Sequence, residues 1–371
     1  MRSGIASALL AAGSIALPVL VGEIACRAAG YRGVEMYRPE SELGWVLEPR
    51  QTTVTRAGHF PVLVNEEGFR DDPLARPKPA ETVRIFALGA STTFGWGVRQ
   101  HETYHQVLEQ MLNDRARAAG VAARFDIVNA GVIGYNLWQA DRYMRRIARR
   151  HQPDGFLVAY TFNDAWNKVG TLNAQQRDQM LAGVRRKNVL RASALFNWLV
   201  EVRARWLSGG GAAGDESGLA QTGDASATTA ELAAYRATLD SMLALARTAK
   251  LSLAFTVLAA RGQRCAWPRQ AAMTQAAAAA RVPVVDFVPL FGAAKADALY
   301  LANDSVHPSR LGHAVIARHL YTHLCAAAAA AAPGEPATAY RAGCGSAPSR
   351  SGVAPSQRGS RPQPFRAIRE R

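Results

Sequence analysis

The chain has 371 residues, which is enough for one α/β domain of ordinary size with additions, or for two small domains. Its hydrophobic fraction of 49% is typical of a packed globular protein. The formal net charge of +15 raises the question of nucleic-acid binding. No stripe of interleaved basic and aromatic residues occurs, so we expect no nucleic-acid partner and interpret the charge as favouring solubility or affinity for acidic envelope polymers.

The N-terminal segment contains an uncharged apolar run from Ile5 to Gly22. As a helix this run is about 27 Å long, which nearly spans the hydrocarbon core of a bilayer. Three interpretations compete: a retained membrane anchor, a cleaved signal peptide, and a lipoprotein signal with Cys26 as the lipidated residue. We favour the anchor, because no clean cleavage site is present after the run and Glu23 stands where a lipoprotein signal needs leucine. Residues 1–30 are thus expected to be an anchor or signal segment, and the flanking charges leave its orientation open.

Residues 31–80 contain short β-prone pieces separated by turn residues. The pieces at 44–46 and 62–64 are examples, and the second leads into a turn at 65–70. Three prolines then separate this region from the rest of the chain: Pro73, Pro77 and Pro79. The pattern predicts a small β-rich extension beside the main domain.

From residue 83 onward, β-prone apolar runs alternate with helical patterns. The expected strands cover 83–88, 125–129, 155–160, 251–258 and 282–287. The expected helices cover about 101–117, 136–149, 230–249, 268–281 and 309–330. Strands separated by helices of this length indicate βαβ crossovers. We therefore expect residues 81–330 to form a flavodoxin-like α/β/α sandwich around a five-stranded parallel sheet.

Residues 165–207 interrupt this alternation. The piece 190–207 has apolar residues at helical spacing, and we favour a helix packed on the core over a lid or a membrane-facing helix. Residues 208–229 are rich in Gly, Ala, Ser and Thr, a composition that predicts a flexible loop. The basic tail at 331–371 is rich in Ala, Pro, Ser and Arg, and we expect it to be disordered.

The four cysteines do not form a CxxC pair, which argues against zinc-finger and thioredoxin-like classes. They are Cys26, Cys265, Cys325 and Cys344. In an exported chain Cys325 could pair with either Cys265 or Cys344. The sequence does not choose between these pairings and free thiols.

A serine lies just after the first strand of the alternating region. The run Val83–Leu88 stops at Gly89, and Ser91 comes two residues later. In an open α/β sheet, ligands and chemistry collect at the carboxyl ends of the strands. An ordinary Ser/Thr turn is the alternative interpretation of this stretch alone.

Four other residues occupy comparable places. Gly134 lies in a loop after the second strand, and Asn163 comes after the third strand. Asp304 and His307 precede the last helix, three residues apart, so one helical turn places them side by side. Positive-φ turns and helix caps are the alternative interpretations of these residues. Together with Ser91, they supply a nucleophile, a base, an orienting acid and oxyanion donors, the set that acyl transfer needs.

These blocks resemble those of the SGNH hydrolases, the GDSL-type esterases and lipases. The stretch 89–93 is similar to their first block, and 132–136, with Gly134, is similar to their second. The stretches 161–164 and 304–307 are similar to their GxND and DxxH blocks. The resemblance covers roughly residues 80–325. Two departures occur: Ala90 replaces the Asp of GDS, and Thr161 replaces the Gly of GxND. The N-terminal segment and the extension also look like those of membrane-tethered bacterial members.

The resemblance implies a serine esterase that hydrolyses a carboxylic ester through an acyl-enzyme. Ser91 would be the nucleophile, His307 the general base and Asp304 the residue that orients the histidine. The oxyanion hole would consist of the N–H groups of Ser91 and Gly134 and the amide of Asn163.

The expected substrate is an ester of a small molecule, a lipid or an acylated glycan, with no metal or organic cofactor. The catalytic domain is expected to be periplasmic or otherwise extracytoplasmic on the cell membrane, or secreted if the N-terminal segment is cleaved. Two alternatives stay open: an O-acyltransferase on an envelope polysaccharide that uses the same residues, and a catalytically silent glycan- or envelope-binding protein.

Overall fold

The structure, a computed structural model, describes residues 2–55, 60–207, 227–291, 296–331 and 339–344. Side chains at 2–9, 11, 204, 205, 207 and 296 lie outside that description. The N-terminal part contains a long helix and two antiparallel strand pairs: α1 (Arg2–Ala28), β1 (Tyr37–Glu40), β2 (Gly44–Leu47), β3 (Gln51–Val54) and β4 (Pro61–Val64).

The main domain comes next, and its strands alternate with helices. Its elements are β5 (Thr82–Gly89), α2 (Ser91–Phe94), α3 (Tyr104–Ala118), β6 (Arg124–Gly131), α4 (Leu137–Arg150), β7 (Gly155–Ala159), α5 (Ala174–Arg191), α6 (Ala194–Leu207), α7 (Thr229–Thr248), β8 (Ser252–Val257), α8 (Pro268–Ala280), β9 (Val284–Asp286), α9 (Val288–Phe291), α10 (Arg310–Ala330) and α11 (Arg341–Cys344).

The sheet of the main domain has five parallel strands in the order β6-β5-β7-β8-β9. Two of its three inner strands, β7 and β8, are buried along their whole length, as expected for strands covered by helices on both faces. Helix α3 packs against α10 and α11, while α4 packs against α7, which in turn contacts α8. The α/β fold with a five-stranded parallel sheet is therefore confirmed.

The β-rich extension shares the hydrophobic core of the main domain. Its buried side chains, which include Val46, Val62 and Phe69, belong to the same cluster as those of β5 and β7. The Phe69 ring lies 5.4 Å from the Phe86 ring on β5. The extension is thus built onto the sandwich, and two of its residues reach the site described below.

The N-terminal helix α1 pairs with α6. The Glu23 carboxylate accepts hydrogen bonds from the Ser193 hydroxyl and from the N–H groups of Ala194 and Leu195, which caps the start of α6. Within the described part of the chain, no helix combines the length and apolarity needed to cross a membrane. Part of the apolar run 5–22 lies outside the described side chains, so the expected membrane segment stays a prediction.

The prediction that 190–207 packs on the core is wrong. Helix α6 contacts α1 and α5, and its side chain Trp206 is 86% exposed. Leu199 is also half-exposed, and among the described side chains of α6 only Ala194 is fully buried. The apolar residues of this helix are spread around its circumference, so helical spacing alone did not identify the partner helix.

The C-terminal segment also differs from the expectation. Residues 339–344 return to the domain, where Tyr340 is buried and Gly343 packs closely against Leu112 and Phe125. A disulfide joins Cys325 to Cys344, which is one of the two pairings left open by the sequence. Residues 208–226 of the expected flexible loop, and 332–338 and 345–371 of the expected disordered tail, lie outside the described residues.

Candidate active site

The five predicted site residues lie on loops that the fold brings together. Ser91, Gly134 and Asn163 come after the carboxyl ends of β5, β6 and β7, which are neighbouring strands of the sheet. Asp304 and His307 lie in the loop that precedes α10. This edge of a parallel sheet is where α/β proteins bind ligands.

Ser91 is the first residue of the short helix α2, which lies directly over β6. A side chain at Gly131 would place its Cβ 2.3 Å from the Phe94 nitrogen, and one at Gly89 would lie 2.1 Å from Thr93 Oγ1. The two glycines are paired in register at the ends of β5 and β6. Only residues without a Cβ allow this close approach, which holds the serine at the edge of the sheet.

Ser91, His307 and Asp304 form a continuous line of hydrogen bonds. The distance from Ser91 Oγ to His307 Nε2 is 2.7 Å, and that from His307 Nδ1 to Asp304 Oδ2 is also 2.7 Å. With the ring proton on Nδ1, the imidazole donates to the carboxylate and Nε2 accepts the serine proton. This arrangement can remove a proton from the hydroxyl as the hydroxyl attacks.

The carboxylate of Asp304 is fixed on both oxygens. Its Oδ1 accepts hydrogen bonds from the N–H groups of Val306 and His307, each at 2.8 Å. Partial burial opposes ionisation, but the hydrogen bonds and the charge of His307 outweigh it and hold the pKa of Asp304 below its usual value. Asp304 is therefore an anion at neutral pH, which suits it to stabilise an imidazolium.

A hydrogen bond to the Ile133 carbonyl holds the peptide unit that also carries the Gly134 N–H. The Ile133 carbonyl accepts a hydrogen bond from Trp45 Nε1 at 3.0 Å, and the Gly134 carbonyl accepts one from Asn167 Nδ2 at 2.6 Å. Gly134 has φ +84°, a conformation that favours glycine. Its N–H has no acceptor among the described residues, so it is available to an incoming oxyanion.

Asn163 lies in a short 3-10 helix, Phe162–Ala165, directly after β7. Its Nδ2 donates to the Tyr135 carbonyl at 2.8 Å, which anchors the amide beside the Gly134 loop. An amide nitrogen carries two hydrogens, so a second one remains for a ligand. Asn163 is thus hydrogen-bonded to Tyr135, the residue that follows Gly134 in the chain.

Thr161 fits its position without strain. Its backbone is extended, with φ −115°, so this position does not need glycine. The Thr161 hydroxyl donates to Asp164 Oδ2 at 2.5 Å, and Asp164 Oδ1 accepts from the Leu137 N–H at the start of α4. Burial raises the pKa of Asp164 to about 6. The departure from GxND therefore adds a hydrogen bond within the loop after β7, to the carboxylate that also accepts from the start of α4.

Two supporting residues come from the extension and were not identified from the sequence. Trp45 is one, and Arg70 is the other. The fully buried Arg70 guanidinium donates to the carbonyls of Phe94, Gly95 and Val98 at 2.7–2.9 Å, which holds the turn after Ser91. In the sequence, Arg70 is a charged residue directly after the apolar Phe69, and this pattern does not indicate which carbonyls the guanidinium binds.

Comparison with known proteins gives the family. The model of the GDSL-like lipase/acylhydrolase family matches residues 87–315, which include all five site residues. No curated protein shows significant similarity to the chain.

Among solved structures, the chain is similar to the psychrotrophic esterase EstA from Pseudoalteromonas sp., at 15% identity over 65% of this chain and 96% of that one, with a TM-score of 0.37. It is also similar to an acetyl xylan esterase, at 14% identity over 65% and 98% of the two chains, with a TM-score of 0.39. A lipase/acylhydrolase from Enterococcus faecalis matches at 15% identity over 64% and 92%, with a TM-score of 0.37.

The family match covers more than half of the chain and includes every loop of the site. The chain therefore belongs to the GDSL-like lipase/acylhydrolase family and is an ester-hydrolysing enzyme.

Proposed function

We propose that this enzyme hydrolyses a carboxylic ester through an acyl-enzyme on Ser91. The main observation behind the proposal is the pair of hydrogen bonds that join Ser91 Oγ to the His307 ring and the ring to the Asp304 carboxylate. Both donor–acceptor distances are 2.7 Å. A serine hydroxyl is a weak nucleophile on its own, and an adjacent oriented base activates it.

In the proposed first step, Ser91 Oγ forms a bond to the acyl carbon while its proton moves to His307 Nε2. The tetrahedral intermediate collapses as His307 returns the proton to the leaving alcohol, and the acyl group stays on Ser91. Water then attacks the acyl carbon while His307 Nε2 accepts its proton. The bond between the acyl carbon and Ser91 Oγ breaks as His307 returns that proton to Oγ, and the carboxylic acid leaves. The Asp304 carboxylate stabilises the imidazolium in both halves of the reaction.

The negative charge of each tetrahedral intermediate develops on the former carbonyl oxygen. We assign the donors for that oxygen to the N–H groups of Ser91 and Gly134 and to the Asn163 amide. Ser91 begins a helix, so its N–H has no intrahelical acceptor. Donors fixed before the reaction begins are the most effective, because no reorganisation is needed when the charge develops.

We also propose that the catalytic domain works outside the cytoplasm. The Cys325–Cys344 disulfide supports this location, since such bonds persist in oxidising compartments. Attachment to the membrane is a separate hypothesis that rests on the apolar run at 5–22. Fractionation of cells that produce the chain tests both hypotheses. A cytoplasmic pool with reduced thiols would contradict the location outside the cytoplasm. Recovery of the protein in the soluble fraction would contradict attachment to the membrane.

The esterase proposal is tested with p-nitrophenyl esters from acetate to octanoate and the purified full-length chain. We expect turnover of at least one ester, and a loss of roughly 10³-fold or more in kcat for Ser91→Ala. Ser41→Ala, at an exposed position in the turn between β1 and β2, is the matched control and should retain wild-type activity. A sugar acceptor in the same assay separates the acyltransferase, which would form an acylated sugar faster than free acid.

A further inference from the structure

Trp45 lies on β2 of the extension, yet its indole reaches the Gly134 loop. Trp45 Nε1 and the carbonyl oxygen of Ile133 are 3.0 Å apart, across 88 positions of sequence. The ring is partly buried and packs against the main core. The indole is therefore held in one place, with its N–H directed at a backbone carbonyl of the site.

The Ile133 carbonyl belongs to the same peptide unit as the Gly134 N–H. A trans peptide is planar, and its C=O and N–H point in opposite directions. A donor that fixes the carbonyl therefore fixes the direction of the N–H as well. Without that donor, the peptide could rotate and turn the N–H away from the oxyanion.

Trp45 also contacts two further residues of this loop, Gly134 and Tyr135. A Cβ on Gly134 would lie 3.1 Å from Trp45 Cζ2, so the ring lies directly against the glycine. The Tyr135 hydroxyl donates to the Trp45 carbonyl at 2.6 Å, and the two rings pack edge to face with centroids 5.8 Å apart. Since the Tyr135 carbonyl in turn accepts from Asn163, one connected set of bonds links Trp45 to two oxyanion donors.

We propose that Trp45 is a positioning residue of the oxyanion hole, whose indole N–H sets the direction of the Gly134 N–H. This inference rests on the proposed function, because it gives the extension a role in the same reaction. Trp45 does not touch the reacting atoms in this role. It acts through the Ile133–Gly134 peptide, and its contribution is realised in the transition state.

Trp45→Phe is the informative variant, since it keeps an aromatic ring against Gly134 but removes the indole N–H. Loss of an oxyanion donor costs on the order of 10²–10³ in kcat, and a donor that is misdirected but still present should cost less, about 10-fold. The substrate ground state makes little use of this donor, so KM should change less than about twofold. Trp206→Phe, at an exposed position on α6, is the matched control and should change neither constant.

The experiment measures kcat and KM for a p-nitrophenyl ester, the rate at which a fluorophosphonate probe labels Ser91, and the thermal unfolding midpoint. We expect Trp45→Phe to lower kcat and the labelling rate by similar factors, with the variant still folded at the assay temperature. Wild-type rates in Trp45→Phe would overturn the positioning role. A rise in KM with unchanged kcat, or unfolding at the assay temperature, would also overturn it in favour of a structural role.

Failure of the proposed function gives a different result. In that case the wild-type chain neither hydrolyses esters nor reacts with the probe at Ser91, and the positioning role is overturned with it. A wild-type chain that reacts normally, beside a Trp45→Phe variant that reacts equally fast, overturns the positioning role alone.

Discussion

At the scale of single residues, one line of hydrogen bonds joins Ser91 to His307 and His307 to Asp304, and both donor–acceptor distances are 2.7 Å. Ser91, Gly134, Asn163, Asp304 and His307 each lie in a short sequence motif, so the sequence could single them out. Asp304 and His307 are three positions apart in the chain, so the hydrogen bond between their side chains could be predicted from this spacing. Trp45 and Arg70 could not be predicted, because their contacts depend on how the extension folds back over the loops.

Asp304→Asn tests the residue that orients the histidine. The amide keeps the size of the carboxylate but removes its charge, and it favours the wrong ring tautomer of His307. We expect kcat for a p-nitrophenyl ester to fall by roughly 10³–10⁴ with a small change in KM. Steady-state kinetics checks this, with Asp297→Asn at an exposed position as the control. A decrease below about tenfold would contradict the assigned role of Asp304.

At the scale of elements, the strands were predicted well and the helix contacts were not. A strand covered on both faces is a mostly apolar run, which the sequence shows directly for β7 and β8, and for β5 apart from the buried Arg84. Helix α6 is apolar as well, but its partner is α1 and not the core. Periodicity predicts that a helix buries a face without identifying what covers it.

Helix α3 carries a carboxyl group that makes stability depend on pH. Burial raises the pKa of Glu109 to about 7, although the Ile127 N–H donates to its carboxylate. Between its ordinary pKa of about 4.5 and this value, the folded chain binds a proton that the unfolded chain has lost. The contribution of Glu109 to the free energy of unfolding therefore decreases as pH rises through this window.

Glu109→Gln imitates the protonated form at every pH. We expect its unfolding midpoint to exceed that of the wild type at pH 8, and the difference to shrink toward pH 4.5. Thermal unfolding across this range checks the sign, with Asp114→Asn on the exposed side of the same helix as the control. A difference that is constant with pH, or that grows toward low pH, would show that the buried carboxyl is not the cause.

At the scale of the whole molecule, the extension and the C-terminal segment both complete the sandwich. The sequence marked 31–80 as a separate β-rich piece, but its apolar side chains share one core with β5 and β7. It also marked the C-terminal tail as disordered from composition, whereas Tyr340 and Cys344 belong to the packed domain. Composition averages over a window and does not detect a single buried tyrosine or a single disulfide.

The Cys325–Cys344 bond closes a loop with a sequence separation of 19 residues, for which the chain-entropy model gives about 3 kcal/mol of stabilisation. We expect Cys344→Ser to lower the unfolding midpoint by roughly 5–10 °C. Activity at 25 °C should be unchanged, because the bond lies away from the site loops. Calorimetry with and without reductant checks this, and Cys265→Ser, at an exposed free thiol, should behave as the wild type. Equal midpoints for Cys344→Ser and the wild type would contradict the stabilising role.

The central claim is that Ser91 is the nucleophile of an ester hydrolase activated by His307. Its most direct test is the reaction of the full chain with a fluorophosphonate, with mass spectrometry of the intact protein and of its peptides. We expect one adduct per chain, on the peptide that contains Ser91, which is absent in Ser91→Ala and formed much more slowly in His307→Ala. An adduct on another residue, or equal labelling of the wild type and Ser91→Ala, would contradict the claim.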